Sequence, residues 1–120
     1  MAPPPYIKPK VLGYKMLEKI KKCFGEEKYL YSQHAREEME AEELGEIKDS
    51  EVFEAVLNGK IIESYPDDKP YPSCLIYGKT SDERPLHIVC AYVKDVNLVI
   101  IITVYQPRSD QWMDFERRKK

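Results

Sequence analysis

The sequence predicts an α+β domain in which N-terminal helices pack on a four-stranded antiparallel sheet. Three observations carry that expectation. Apolar residues recur at helical spacing up to Leu57, then switch to strand-like runs from Ile61 onward. The links between those runs are four to eight residues long, too short for parallel crossovers between consecutive strands. The chain has 120 residues, 42% hydrophobic and 33% charged, the size and composition of one globular domain.

Residues 1–9 carry four prolines and read as a flexible tail, with 10–120 as the single domain. A first helix is expected from Lys10 to Phe24. Leu12, Met16, Ile20 and Cys23 share one face, Leu17 and Phe24 flank it, and Lys15, Lys19 and Lys22 lie elsewhere. Gly25 suits a left-handed position just past its end. Tyr29–Tyr31 is a short apolar segment of strand character. Ser32 is a good N-cap for a second helix, Gln33–Leu44, which Gly45 should end. Asp49 or Ser50 should cap a third helix bearing Val52, Phe53, Val56 and Leu57, closed by Asn58-Gly59.

Four strands follow: Ile61–Tyr65, Cys74–Lys79, Leu86–Val93 and Leu98–Tyr105. The last two are apolar on both faces, which places them centrally with cover on each side. Pro107 stops the fourth strand. A short helix is expected around Trp112–Phe115, then a basic end. Register between the last two strands depends on their link. A four-residue turn pairs Val93 with Leu98 and sets His87 opposite Val104. A three- or five-residue turn puts His87 on the face of Thr103 and Tyr105 instead.

Charge is segregated. Residues 1–25 sum to +5, residues 26–54 to −8 and residues 55–120 to +1, for a net charge of −2. That balance argues against nucleic-acid binding driven by net charge and leaves room for a local basic cleft. The longest apolar run, Leu98–Val104, has seven residues, too few to cross a bilayer. Three cysteines without a Cys-x-x-Cys, and no leader-like N-terminal stretch, suggest a cytoplasmic protein. Five unclustered glycines argue against a nucleotide-binding loop. No cofactor is expected. No metal is expected either, since His87 and Cys90, three apart on a strand, point to opposite faces.

Two histidines are the first candidates for chemistry. His34 sits in the opening turn of a helix, where the helix dipole disfavours imidazolium. His87 lies within a strand. Two imidazoles can divide acid and base roles in metal-free RNA cleavage. The common alternative is a surface residue and a hydrogen-bonded core residue. Arg84, Arg36, Arg117 and Arg118 are candidate phosphate ligands, since guanidinium grips phosphate bidentately. Tyr92, Thr103 and Tyr105 are the polar members of the central strands, able to stack on a base or bond a phosphate.

The segment from Tyr31 to the C-terminus resembles a family of small prokaryotic proteins of unknown function. The resemblance rests on Ser32, His34, Ala35 and Met39; on Asn58-Gly59 and Ile61-Ile62-Glu63; on Tyr65–Asp68 and Pro70–Leu75; on Arg84–His87 and Val89; and on Ile102–Tyr105, Pro107 and Trp112. That family is similar to the RelE-like toxins, within the wider barnase, colicin and EndoU ribonuclease-like fold. The similarity implies a toxin-like, metal-independent endoribonuclease acting on free or ribosome-bound RNA, with a small antitoxin-like protein as partner. It implies His34, Arg84, His87, Thr103 and Tyr105 as the site. The family commonly has Arg where this chain has Glu38. The competing expectation is a non-enzymatic interaction module, binding a basic partner through the acidic helical face.

Overall fold

The structure, a computed structural model, describes residues 9–119, with side chains from Lys15 onward. The tail expected over residues 1–9 therefore lies, but for Pro9, outside the described residues. Three α-helices, α1 (Pro9–Gly25), α2 (Gln33–Ala41) and α3 (Asp49–Leu57), accompany the strands β1 (Tyr29–Tyr31), β2 (Lys60–Tyr65), β3 (Ser73–Lys79), β4 (Pro85–Val93) and β5 (Leu98–Tyr105). A small hairpin, β6 (Trp112–Met113) and β7 (Arg117–Arg118), ends the chain. No helix among the described residues is long and apolar enough to cross a membrane.

The α+β expectation holds, and the sheet needs correction. It has five strands in the order β1-β5-β4-β3-β2, and it is mixed, because β1 pairs in parallel with β5 through Tyr29↔Val99, Leu30↔Ile100 and Tyr31↔Ile101. Short links forbid parallel pairing only between consecutive strands. Here α2, α3 and three strands intervene, so the chain has ample length to return in the same direction.

After Tyr31 the chain leaves the sheet plane but stays on its edge. Ser32 donates its N–H to the Ile101 carbonyl (2.8 Å) and its hydroxyl to the Ile102 carbonyl (3.0 Å), while its Oγ accepts the Ala35 N–H (3.0 Å) as the α2 cap. Further along, the Glu38 carboxylate accepts the Val104 N–H (3.1 Å) and Glu42 accepts the Gln106 N–H (2.9 Å). Side chains of the helical segment thus satisfy donors on the edge of β5 where β1 runs out. This is why α2 stops at Ala41 rather than Leu44: Glu42 adopts φ −57° and ψ 123°, outside helical geometry.

Other boundaries shift for local reasons. Lys48 precedes α3, and its backbone N–H is taken by the Glu51 carboxylate at 2.9 Å, while Asp49 turns to Arg36 instead of capping. The left-handed residue after α1 is Glu27 (φ 59°) rather than Gly25. The helix expected around Trp112–Phe115 is a hairpin, with Asp114 (φ 53°) and Phe115 (φ 62°) in left-handed conformation at the bend. Trp112 and Phe115, three apart, would also share a helical face, so spacing alone did not distinguish the two forms.

All three helices contribute to one core with the inner sheet face. Ile20, Phe24, Met39, Val52 and Val56 pack there with Cys74, Ile76, Leu86, Ile88, Val99, Ile101 and Val104. Burying aliphatic and aromatic side chains at about 25 cal/mol per Å² supplies the main driving force. At Gly78 the contact is closest: a Cβ built there would lie 1.8 Å from the Ala55 carbonyl oxygen of α3. Among the described residues the opposite sheet face carries no helix, and the C-terminal hairpin covers part of it.

Candidate functional site

Two bulges decide what stands on the open face. The turn between β4 and β5 is the four-residue Lys94–Asn97, a short 3₁₀ segment closed by left-handed Asn97 (φ 51°), and Val93 pairs with Leu98. That register would set His87 opposite Val104. An extra residue, Ile102, is accommodated in β5 opposite the Val89–Cys90 step, and pairing resumes as Val89↔Thr103, Ile88↔Val104 and His87↔Tyr105. Directly paired residues share a face, so His87, Tyr105 and Thr103 stand together on the open side. A second irregularity, between Ile61 and Glu63 in β2, pairs Glu63 with Leu75 and Tyr65 with Ser73, which brings Glu63 and Tyr65 to the same side.

His87 is fully buried, at 0% exposure. Tyr77 and Tyr105 flank its ring edge-on at 5.8 and 5.2 Å between centroids, and Trp112 of the hairpin meets it at 4.4 Å. Its Nε2 lies 2.6 Å from the Phe115 carbonyl oxygen and its Nδ1 3.0 Å from the Tyr105 hydroxyl. A carbonyl only accepts, so Nε2 carries the hydrogen. In the neutral ring Nδ1 is then the acceptor, and Tyr105 donates to it. Burial lowers the imidazole pKa, outweighing the opposing effects of the Phe115 carbonyl and the Glu63 charge. Burial also pushes the Tyr105 phenol up to about 12, against the nearby Arg118 charge.

Beside this pair lies an ionic cluster. Arg118 reaches Glu63 with two nitrogens, at 2.9 and 3.1 Å, and its guanidinium covers the Trp112 ring at 4.7 Å. Tyr65 donates its hydroxyl to Glu63. Burial alone would raise the Glu63 pKa, but the Arg118 and Tyr65 hydrogen bonds and the Arg118 charge hold it below the usual value. Burial and the Glu63 bond raise Tyr65 to about 12. Lys60 pairs with Glu116 at 2.6 Å, a further tie between sheet and hairpin.

Of the residues that the resemblance implies as the site, His34, Arg84, His87, Thr103 and Tyr105, no hydrogen bond or ion pair among the described residues joins His34 or Arg84 to His87 or Tyr105. His87 and Tyr105 meet, with Thr103 on their face and Arg118 near by. His34 is on α2, 66% exposed, 3.4 Å from Glu38, and no hydrogen bond or ion pair joins it to His87. Arg84 is a structural clamp. It donates to Glu51 (3.1 Å), to the carbonyls of Gly45 and Glu46, and to Gln106 (2.7 Å), tying the α2–α3 link to β4 and the end of β5. Arg36 stacks 4.0 Å over Tyr31 and pairs with Asp49 at 2.7 Å. Tyr92 sits by the β4–β5 turn, packed against the core, and donates to Asn97 at 2.7 Å. Arg117 is exposed on β7, 3.3 Å from the Met113 sulfur.

Sequence reasoning missed Glu63 and Tyr65 as members of the ionic cluster with Arg118, and Trp112 and Phe115 as neighbours of His87. An acid two residues from a tyrosine in a strand, with the tyrosine beginning the Tyr-Pro-Asp-Asp loop, was the available signal for the first two. Glu38, which stands where the resembled family commonly has Arg, is part of the edge hydrogen bonding.

Residues 31–106 match the family described as Domain of unknown function (DUF4258), and the chain belongs to it. The matched region contains His34, Glu63, His87 and Tyr105 and ends before the hairpin. No curated protein and no solved structure matches the chain.

Proposed function

We propose that the protein is a metal-independent endoribonuclease of toxin type, with its site on the open sheet face at Tyr105, His87, Thr103 and Arg118. The reading rests on the Tyr105–His87 hydrogen bond, in which part-exposed Tyr105 stands between solvent and the His87 ring that the hairpin buries, within reach of the Arg118 charge. Attack of a ribose 2′-hydroxyl on the adjacent phosphate needs a group to take the 2′ proton and a cation for the developing phosphorane charge. A phenol titrating near 12 is rarely ionised at neutral pH. Tyr105 therefore serves as a relay: its oxygen takes the 2′ proton as its own passes to His87 Nδ1, the 2′ oxygen bonds to phosphorus, the P–O5′ bond breaks, and the departing 5′ oxygen takes a proton from water. The Nε2–H bond to Phe115 holds the ring in the tautomer that leaves Nδ1 able to accept. Arg118, turned from Glu63 to the phosphate, supplies the charge. The resemblance to RelE-like toxins supports the substrate class and the use of ribosome-bound message.

Tyr105→Phe keeps the ring and removes the relay. Cleavage of ribosome-bound and free RNA, measured in EDTA, is expected to fall by about 100-fold or more, while circular dichroism shows a folded chain. Full activity of that variant overturns the assignment. The closed bonding of His87 favours one competing reading, a binding module without catalysis. That reading predicts no cleavage of either RNA by the unmodified chain.

A further inference from the structure

On the helical side of the sheet, opposite the proposed nuclease face, a groove of about 540 Å³ opens between the end of α1, β1 and α3. Its floor is aromatic. Phe24 and Tyr29 stack in parallel at 4.6 Å between centroids, and Phe53 stands tilted 6.5 Å from Phe24. Phe24 is buried beneath, whereas Tyr29 and Phe53 are part exposed and present ring surface to the opening. Acidic side chains form the rim, among them Glu26, Glu27 and Glu54. Glu54 is oriented by the backbone N–H and hydroxyl of Ser81, at 3.0 and 3.2 Å. Glu26 has only a 3.7 Å contact with Lys28, and Glu27 makes no ion pair among the described residues.

We infer that this groove receives an arginine or lysine side chain from a basic partner protein. Ring faces and edge carboxylates together select a cation carried on an apolar stem. The rim lies in the segment 26–54, with its net charge of −8. That field attracts a basic segment and repels phosphate, so the occupant is a protein rather than RNA. The inference does not depend on the nuclease reading, since the groove shares no residue with the Tyr105 site.

The test uses a penta-arginine peptide titrated into the full chain at 0.15 M salt, followed by amide chemical shifts. Saturable shifts centred on Gly25–Tyr29 and Ser50–Glu54 are expected. The double variant Glu26→Lys/Glu27→Lys should weaken the affinity at least tenfold. Glu37→Lys/Glu40→Lys makes the same change of net charge on α2 and should weaken it less than threefold. Phe53→Leu, which keeps an apolar residue and removes the ring, should cost several-fold in affinity with the remaining amide shifts preserved. Shifts centred elsewhere, equal weakening by the two charge reversals, or no saturable binding overturns the inference. RNA cleavage by the chain is not a readout of this test, so its outcome leaves the nuclease reading standing or falling separately.

Discussion

Gly78→Ala is expected to destabilise the fold by about 3 kcal/mol or more, the upper end of overpacking costs. The new methyl would lie 1.8 Å from the Ala55 carbonyl oxygen and 2.6 Å from its carbonyl carbon. Those are backbone atoms inside α3, so no side-chain rotation relieves the clash, and the helix must lift from β3. Domains of this size have roughly 5–15 kcal/mol in total, so the variant should unfold at far lower urea. Gly25→Ala is the control, because a Cβ there meets nothing within 4 Å. Its urea midpoint should stay close to that of the unmodified chain. Equal midpoints for both variants would mean that α3 does not sit on β3 as described.

His87 carries the second large effect. His87→Ala removes a fully buried ring and leaves the Tyr105 hydroxyl and the Phe115 carbonyl without their partner. Emptying the volume of a fully buried ring and leaving the Phe115 carbonyl unpaired gives an expected loss of about 3 kcal/mol at pH 7.5. The pH dependence separates this residue from general packing. Unfolded, the imidazole takes a proton near 6.5; folded, burial delays protonation to lower pH. Between those two values the unfolded chain binds more protons. Stability therefore falls as pH drops through that window and is untouched by this group above it. The unmodified chain should lose more urea resistance from pH 7.5 to pH 5.5 than His87→Ala does. Parallel losses in the two proteins would show that His87 is not the buried, neutral group described.

The fold was legible where local chemistry dictated it. The apolar stretch Leu98–Val104 marked a central strand and Ser32 marked a cap, whereas the link at Lys94–Asn97 left the register open and the fold takes the four-residue turn with Val93↔Leu98. Legibility ended where distant segments decide the geometry. Ile102 looks like its neighbours in sequence, yet as the extra residue of the bulge it reverses which face of β5 meets His87. Tyr29–Tyr31 is too short to reveal its partner, and the partner lies some seventy residues away. Arg84 displays a charge, not the Gly45 and Glu46 carbonyls that consume it. Glu38 and Glu42 look like solvated helix acids until the edge of β5 is placed beside them. Half of the candidate site was visible as residue types, His87, Tyr105, Thr103 and Arg118. Their grouping was a property of the bulge and the hairpin.

The central claim, a metal-free phosphodiester cleavage at Tyr105, is tested most directly by the ends of the RNA fragments. Incubating the chain with ribosome-bound and free RNA in excess EDTA, then analysing the new 3′ ends, reads the chemistry itself. Attack by the 2′-hydroxyl leaves a 2′,3′-cyclic phosphate on the upstream fragment and a 5′-hydroxyl on the downstream one. The account predicts those ends, formed in EDTA and lost with Tyr105→Phe. Fragments bearing 3′-hydroxyl and 5′-phosphate ends, cleavage that appears only with added Mg²⁺, or intact RNA in both substrates would contradict it.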